Sequence, residues 1–463
     1  MKKTKILCTI GPSCSSVITL KRMLDNGMNA VRINTSHGNF DQYHEMITNI
    51  RNVANIPIVM DTQGPKIRLR MKESRDIAAG EEVTVGFDPS HDLYMDAEIY
   101  EYIDAGDRTL IDDGNFEARI TKKENQTIGL KFINGGHVTS GRAVNFPKRS
   151  LPLAPLTEKD LQSLKFAREM NVDFIALSFA RGKDDINQCR AHLEGSQVKI
   201  ISKIENQQGV DNFTEILRLS DGIMVARGDM GVELDAEEIP IIQKRLIKAC
   251  NESGKLVITA TQMLQSMIDS PRPTRAEISD VANAILDGSD IVMLSGETAT
   301  GKYPVETVQM MNRIALYSEK FVHKPSTFVA GLGVERAICN SVKDLCESAG
   351  VNKIVTVTRR GHTARLISRL RLKPQILALT AREEAFRELH LYYGVLPVMY
   401  PELTGSIRTS TAGMFLFNEG LIASDDLVLF ASGEYHPSEH LTNTLQLIRM
   451  RDLADYCERF GIC

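Results

Sequence analysis

The 463-residue chain has no run of about 18 apolar residues, the length a helix needs to cross a bilayer, so no membrane span is expected. Its basic opening, Met1-Lys-Lys-Thr-Lys-Ile-Leu-Cys-Thr-Ile10, leads into no apolar stretch. Gly11-Pro12-Ser13 breaks the pattern at once, which argues against a secretory signal and for a cytoplasmic protein. No Cys-x-x-Cys pair occurs among the eight cysteines, and no disulfide framework is expected; they read as reduced, mostly core residues. Cys339 and Cys346 lie seven apart on one helical face and read as packing. Neither sign of charge is in surplus: 55 Lys and Arg against 59 Asp and Glu leave a formal charge of −4. That excludes the footprint of a nucleic-acid or anionic-membrane binder, and positive charge that matters must be concentrated in a site. Low-complexity segments and sequence repeats are absent as well.

What is present is a soluble balance, 43% apolar and 25% charged, in a chain long enough for two or three domains. Short apolar runs rich in β-branched residues recur at Ile6–Ile10, Ala30–Ile33, Ile56–Met60, Phe174–Ser178, Lys199–Ile204, Ile223–Ala226, Leu256–Thr259 and Ile291–Leu294. Such runs fit parallel strands buried on both faces. Helical patterns lie between them at Val17–Asn26, Phe40–Ala54, Glu158–Met170, Glu238–Asn251, Arg275–Leu286 and Val305–Phe321. Thr157 with Asp160 three residues on reads as a capping box, and Gly27, Gly254 and Gly288 sit where helices should end. Eight alternations predict a (β/α)8 TIM barrel, with a doubly wound sheet as the alternative.

The spacing breaks once, between the third and fourth strands. There, residues 66–147 have Gly-rich turns and short alternating runs at 83–85, 108–111 and 127–132, the texture of a small β-barrel domain inserted as a lid. Without it, residues 1–65 and 148–325 make a barrel of about 240 residues, close to the usual size. After Lys324-Pro325-Ser326 the chain changes again. Val334, Ala337, Ile338, Val342 and Leu345 mark an amphipathic helix. Strand-like runs follow at 353–357, 375–379, 395–399 and 427–431. Residues 326–463 therefore read as a C-terminal α/β domain for regulation and oligomerisation.

A barrel enzyme works at the C-terminal ends of its strands. Here those ends supply Thr9, Arg32-Ile-Asn34-Thr-Ser36, Asp61-Thr62, Ser178, Lys203-Ile-Glu205, Arg227-Gly-Asp229, Thr261-Gln262 and Ser295-Gly-Glu297. Alternate residues of a strand point the same way, so Lys203 and Glu205 share a side. The bland reading is a surface ion pair. The functional one has Glu205 and Asp229, from adjacent strands, hold a hard divalent cation such as magnesium, with Lys203 neutralising a phosphoryl group in transfer. Gly228 lets backbone approach a ligand, and its turn N–H groups suit a carboxylate. Arg32 has the fork for a phosphate. Asn34, Ser36, Asp61 and Thr62 offer oxygens for a second cation, although singly they are ordinary turn and cap residues. Two look-alikes fail. Gly296-Glu-Thr-Ala-Thr-Gly301-Lys302-Tyr303 has tyrosine where a P-loop needs Ser or Thr, and Gly331-Leu-Gly333 lacks the third glycine of a dinucleotide loop.

The run Lys199-Ile-Ile-Ser-Lys203-Ile-Glu205-Asn206-Gln-Gln-Gly209-Val210 resembles the signature of the pyruvate kinase family. So do Thr9-Ile-Gly-Pro-Ser13, Asn29-Ala-Val-Arg32-Ile-Asn34-Thr-Ser36-His37-Gly38, Asp61-Thr-Gln-Gly-Pro65, Ala226-Arg-Gly-Asp229-Met-Gly231, Thr259-Ala-Thr261-Gln-Met263 and Ser295-Gly-Glu-Thr-Ala299. The inserted segment and C-terminal region match in placement more than in sequence. The resemblance implies glycolytic phosphoryl transfer from phosphoenolpyruvate to ADP, giving ATP and pyruvate, in an allosteric homotetramer. It implies that Glu205 and Asp229 bind Mg2+, that Arg32 and Lys203 contact the phosphoryl group, and that backbone at Gly228 and Asp229 with the Thr261 hydroxyl holds the substrate carboxylate. Asn34, His37, Arg68 and Arg142 would line the nucleotide side, Arg142 standing where the family often has lysine. Thr261, directly or through water, is the candidate donor of the proton that converts the enolate to pyruvate.

Two departures are informative. Many members carry Glu where this chain has Lys66, and that Glu accompanies a potassium requirement. Lys66, with Gln63 and Leu69 though not Thr62, resembles potassium-independent members, because a tethered ammonium can replace K+ at the site formed by Asn34, Ser36, Asp61 and Thr62. The second concerns regulation. Thr358-Arg359-Arg360-Gly361-His362-Thr363 stands where the family often binds a sugar phosphate. In the later loop, Ser432-Gly-Glu434-Tyr-His-Pro437 with Glu439, acidic residues oppose fructose 1,6-bisphosphate and leave open a monophosphate such as AMP or a phosphorylated three- or six-carbon metabolite. The plainer reading has Arg359 and Arg360 in interface salt bridges. Outside this family, a barrel lyase or aldolase acting on an enolate would be independent of ADP, and a phosphometabolite sensor on an inactive scaffold would show no magnesium-dependent turnover.

Overall fold

Strands buried on both faces favour apolar residues at most positions, and the eight largely apolar runs form one closed parallel barrel for that reason. In the computed structural model, which describes residues 2–322, 333–401, 409–433 and 442–460, its strands are Lys5–Thr9, Ala30–Asn34, Ile58–Asp61, Phe174–Leu177, Lys199–Ile204, Gly222–Ala226, Leu256–Ala260 and Ile291–Leu294. The ring follows chain order and closes where Lys5 pairs with Ile291 and Cys8 with Leu294. Of the two expected architectures, the barrel is the one formed.

The helices expected around it are present, from Val17–Asp25 to Pro304–Ser318. Thr157 and Asp160 form the expected capping box, and Gly254 ends Ile239–Ser253 in the left-handed conformation. Lys183–His192 and Phe213–Leu219 are helices the periodicity does not reveal. The first buries only Asp185, Ile186 and Cys189, too thin an apolar stripe to register. Arg227–Glu233, read from sequence as a turn, is a short helix, and it places Gly228 and Asp229 in its first turn.

The insertion forms a seven-stranded antiparallel, barrel-like sheet from Ile67–Met71 to Arg142–Asn145, with a two-stranded ribbon of Arg75–Ile77 and Gly136–Val138. Its core, including Ile67, Val85, Met95, Phe132 and Phe146, is its own. In the C-terminal domain, Val334–Ser348 precedes a five-stranded sheet ordered Val395–Met399, Gln375–Thr380, Lys353–Val357, Leu427–Ser432, Thr444–Arg449. The last strand is antiparallel and half-exposed, and has no clean pattern in the sequence. Cys339 is buried and Cys346 packs beside it, as expected. Cys457 corrects the expectation of reduced thiols throughout: it is disulfide-bonded. Residues 324–326, 331–332, 434–437 and 439 lie outside the described residues.

The C-terminal domain seals the floor of the barrel. Leu7, Phe174, Met224 and Met293 from the barrel interior share one continuous core with Ile354, Leu372, Leu389 and Leu391. Charged groups at the strand starts are matched from below: Arg387 Nε to Asp173 Oδ1 at 2.6 Å, Arg371 Nη1 to Asp290 Oδ1 at 2.8 Å, and Glu388 to both Lys199 and Arg365. Arg371 and Asp290 are almost wholly buried, and removing one partner strands the other charge. Arg371→Met is expected to cost about 3 kcal/mol or more, read as a lower urea midpoint. A midpoint within error of the parent would show that the pair contributes nothing.

Candidate active site

The polar strand ends meet beneath the lid, where a cavity of about 380 Å³ is lined by Arg32, Asn34, Ser36, His37, Thr62, Lys66, Arg68, Arg142, Lys203, Glu205 and Asp229 among others. These eleven residues, each a candidate from the sequence, face one space, and Asp61 lies just behind it. Asp61 is fully buried. Its Oδ2 accepts from Arg32 Nε at 2.6 Å and its Oδ1 from Lys203 Nζ at 3.0 Å, so one carboxylate fixes both cations. Burial alone would raise the Asp61 pKa, but Arg32 and Lys203 outweigh it and hold the carboxyl below its ordinary range.

Lys203 sits at the centre. Its Nζ is 2.7 Å from Ser178 Oγ and 2.9 Å from Glu205 Oε1. Burial opposes its charge, yet Asp61, Glu205 and Asp229 more than compensate and raise its pKa, so it stays an ammonium. Glu205 is 1% exposed, and burial together with the charge of Asp229 pushes its pKa up to about 7, against the pull of Lys203. Its Oε2 accepts the Phe179 N–H at 2.6 Å. Oε1 lies near Lys203 but off the hydrogen-bonding direction, leaving a buried carboxylate oxygen with no hydrogen-bond partner. Asp229 behaves oppositely. Burial would raise it, but Lys66, 3.2 Å away, and Lys203 hold its pKa below the usual value.

Thr261 and Gly228 form a second cluster beside Asp229. The Gly228 N–H donates to Thr261 Oγ1 at 2.8 Å, and that hydroxyl donates to the Ala260 carbonyl at 2.6 Å. A Cβ on Gly228 would stand 3.2 Å from Thr261 Oγ1, so glycine permits the close approach. Thr261 itself has φ 69°, a genuine outlier for a β-branched residue, and neighbouring Gln262 has φ 54°. Phe179, whose N–H grips Glu205, also has positive φ, 51°. Strain of this kind collects where function over-determines the backbone.

Several other candidate side chains already have partners. Thr62 Oγ1 already bonds the Ala176 carbonyl and the Ser178 N–H, and Asn34 Oδ1 caps the Ser36 N–H. Arg68 donates to the Gly141 carbonyl at 2.9 Å, and Arg142 pairs with Asp112 at 2.9 Å, both within the lid. Asp112 and Asp113, also on the cavity wall, were not singled out from sequence; the Asp-Asp-Gly turn that presents them was the available signal. Asn145 Nδ2 to Glu233 Oε1, 2.6 Å, ties the lid's base to the helix that carries Asp229, and no local pattern points to it.

Two carboxylates with a divergent pair of pKa shifts, two fixed cations and a lid define a barrel enzyme that transfers an anionic group away from water. The family description "Pyruvate kinase, barrel domain" matches residues 1–308, and "Pyruvate kinase, alpha/beta domain" matches residues 336–448, so the C-terminal region is matched in sequence as well as in placement. A pyruvate kinase of Bacillus licheniformis is 43% identical over 462 residues, covering 94% of this chain and 78% of the relative. One from Geobacillus stearothermophilus is 39% identical, covering 98% and 81%. A crystal structure of a Cryptosporidium parvum pyruvate kinase superposes with a TM-score of 0.91 at 36% identity, covering 97% of this chain and 96% of that one. The chain belongs to the pyruvate kinase family, glycolytic phosphotransferases that move a phosphoryl group from phosphoenolpyruvate to ADP.

Proposed function

We propose that phosphoryl transfer occurs between Lys203, Arg32 and the Glu205–Asp229 pair, with Mg2+ as the cofactor. The observation that supports this is the buried Oε1 of Glu205, which has an ion pair with Lys203 but no hydrogen-bond partner, beside Asp229. Among the described residues no cluster of three or more His, Cys, Asp or Glu could hold a metal by itself. A two-carboxylate site suits magnesium, which keeps waters and substrate oxygens as its other ligands. Bound there, the ion supplies positive charge to the phosphate and to the oxygen left behind. Arg32, held by Asp61 and Thr9, presents its guanidinium to the phosphoryl oxygens, and Lys203 offsets their charge during transfer. Backbone at Gly228 and Asp229 with Thr261 receives the substrate carboxylate. Delivery of a proton by Thr261 requires its hydroxyl to turn from the Ala260 carbonyl. Asn34, His37, Arg68 and Arg142 face the nucleotide, and Arg142 must leave Asp112 to reach it.

The same reading makes Lys66 the replacement for potassium at the Asn34, Ser36, Asp61 and Thr62 group. Domain limits fall at 1–65 with 148–325, 66–147 and 326–463, in a cytoplasmic homotetramer. No helix among the described residues is long and apolar enough to cross a membrane. Of the effector loop, Arg359 and Arg360 face a cleft against the barrel, whereas Thr358 and Thr363 are buried and Thr363 Oγ1 pairs with Thr442 Oγ1 at 2.7 Å. Gly361 supplies the left-handed turn between them, φ 78°.

Turnover tests the whole assignment: pyruvate should form from phosphoenolpyruvate and ADP with magnesium, and Glu205→Gln should abolish the magnesium dependence along with the activity. Full activity in Glu205→Gln would overturn the metal site. A pH dependence follows as well. With Glu205 titrating at about 7, its carboxyl is protonated below that pH and a metal must displace the proton. Apparent Mn2+ affinity, measured calorimetrically with Mn2+ in place of Mg2+, is expected to fall about tenfold per pH unit below 7 and to level off above it. A flat profile from pH ~5.5 to ~8.5 would rule this out.

A further inference from the structure

Arg227 follows the Gly222–Ala226 strand and directly precedes Gly228 and Asp229, yet it is not among the described residues that line the cavity beneath the lid. Its side chain is only 10% exposed, and each of its five N–H groups has an acceptor. Nε donates to the Ala260 carbonyl at 3.3 Å. Nη1 donates to Asp280 Oδ1 at 2.6 Å and to Gln243 Oε1 at 3.4 Å. Nη2 donates to the Thr261 carbonyl at 2.7 Å and to Met263 Sδ at 2.8 Å. A guanidinium has no further donors, so none is left over for a substrate. Asp280 belongs to the Arg275–Leu286 helix. Gln243 belongs to Ile239–Ser253 and is itself held, its Nε2 donating to Asp287 Oδ2 at 3.1 Å. The fork therefore ties two outer helices to the turn that follows the Leu256–Ala260 strand.

That turn carries the strained backbone, with Thr261 at φ 69° and Gln262 at φ 54°. A β-branched residue keeps such a conformation only where its surroundings over-determine it. Arg227 grips the carbonyls on both sides of the Thr261 Cα, and the Gly228 N–H takes the hydroxyl at 2.8 Å. The Ala260 carbonyl accepts from Arg227 and also from the Thr261 hydroxyl, at 2.6 Å. A carbonyl has two lone pairs and can take both. When the hydroxyl turns toward a substrate, Arg227 remains on this fully buried acceptor and lowers the cost of the turn.

We propose that Arg227 is a positioning residue for protonation of the enolate, holding the Thr261 turn and keeping the Ala260 carbonyl partnered while the hydroxyl is away. It acts on proton delivery and not on phosphoryl transfer. The inference rests on the reading of Thr261 as the proton donor, directly or through water. In that step the donor's O–H bond breaks and a C–H bond forms at the terminal carbon of the enolate. The carbon–carbon double-bond pair takes the proton, the enolate oxygen closes the ketone, and the donor oxygen regains a proton from water.

A group that delivers this proton must, in reverse, remove one from the methyl group of pyruvate. Two rates are therefore measured on the full chain with Mg2+. One is deuterium uptake into the pyruvate methyl group in D2O with ATP present, followed by NMR. The other is ATP formation in a single turnover of phosphoenolpyruvate and ADP, followed by quenched flow. Arg227→Met is expected to slow deuterium uptake about tenfold or more at saturating pyruvate, and to leave single-turnover ATP formation within about threefold of wild type. Thr261→Ala should slow the uptake at least as much, and adding Arg227→Met to it should cost little more, because the arginine acts through the threonine. Equal losses in both rates would make Arg227 a merely structural residue and overturn the proposal. Unchanged uptake in Arg227→Met, with Thr261→Ala slow, would overturn the proposal alone. Uptake at the wild-type rate in Thr261→Ala would overturn the donor reading and the proposal with it. Asp280 is 37% exposed, so water can solvate it once the arginine is gone. Should Arg227→Met fail to fold, Arg227→Lys keeps the charge with fewer donors, in no planar fork, and carries the same comparison.

Discussion

Lys203→Met is expected to lower kcat for pyruvate formation about 10³-fold or more, equivalent to about 4 kcal/mol of lost transition-state stabilisation. Methionine keeps the length and apolar stem of lysine, so the packing around a side chain only 10% exposed changes little. Asp61 keeps Arg32 at 2.6 Å and is not left unpaired. What disappears is the ammonium that sits among Asp61, Ser178 and Glu205. Two effects then add. Charge that develops on the phosphoryl oxygens is no longer offset, and Glu205, without its nearby cation, holds its proton to still higher pH. Raising the assay pH should recover the second loss and leave the first. Lys203→Arg should not rescue the activity, because a planar fork does not fit the space of an ammonium held on three sides. A decrease of less than tenfold in Lys203→Met, with phosphoenolpyruvate, ADP and magnesium saturating, would remove Lys203 from the reaction.

Lys66→Glu is expected to convert a potassium-indifferent enzyme into a potassium-requiring one. Wild type should turn over equally in tetramethylammonium and potassium buffers. The variant should lose about 10²-fold in tetramethylammonium and regain most of it at saturating potassium. The reason is electrostatic. Lys66 Nζ is 3.2 Å from Asp229 Oδ1 and faces the same cavity as Asn34, Ser36 and Thr62. Exchanging it for a carboxylate changes the local charge by two units and sets a like charge against Asp229, which only an added cation can relieve. Lys66→Met, which removes charge without adding any, should lie between the two. A wild type that fails without potassium would show that the ammonium does not serve in its place.

These predictions concern residues that are legible in the sequence for a physical reason. Strands buried on both faces are near-continuous apolar runs, so the eight barrel strands stand out and their last residues mark the mouth. Lys203 lies near the end of the Lys199–Ile204 strand and Glu205 two residues on, just past it, a spacing that lets them meet at 2.9 Å. The strained Phe179 backbone that fixes Glu205 is invisible in the sequence, because positive φ at a phenylalanine is imposed by the fold and not by local preference. Contacts between distant segments were equally hidden. Asp173 meets Arg387 and Asn145 meets Glu233 only after the domains are assembled, and no periodicity encodes such partners. The cleft that Arg359 and Arg360 line against the barrel belongs to the same class. Arg359 and Arg360 were legible as a basic pair, but the wall they face, with Arg168, comes from a helix almost two hundred positions earlier.

The apolar core shared by the barrel interior and the C-terminal domain has a consequence for how the molecule comes apart. A barrel whose inner layers continue into the next domain has no dry surface along which the two can separate intact. The lid, with an apolar cluster of its own, does. Amide exchange under native conditions should therefore resolve two cooperative opening units, not three: the lid alone, and the barrel melting together with the C-terminal sheet. A chain cut at the interdomain linker would leave an open-bottomed ring, and the fragment is expected to aggregate instead of surviving as a smaller enzyme.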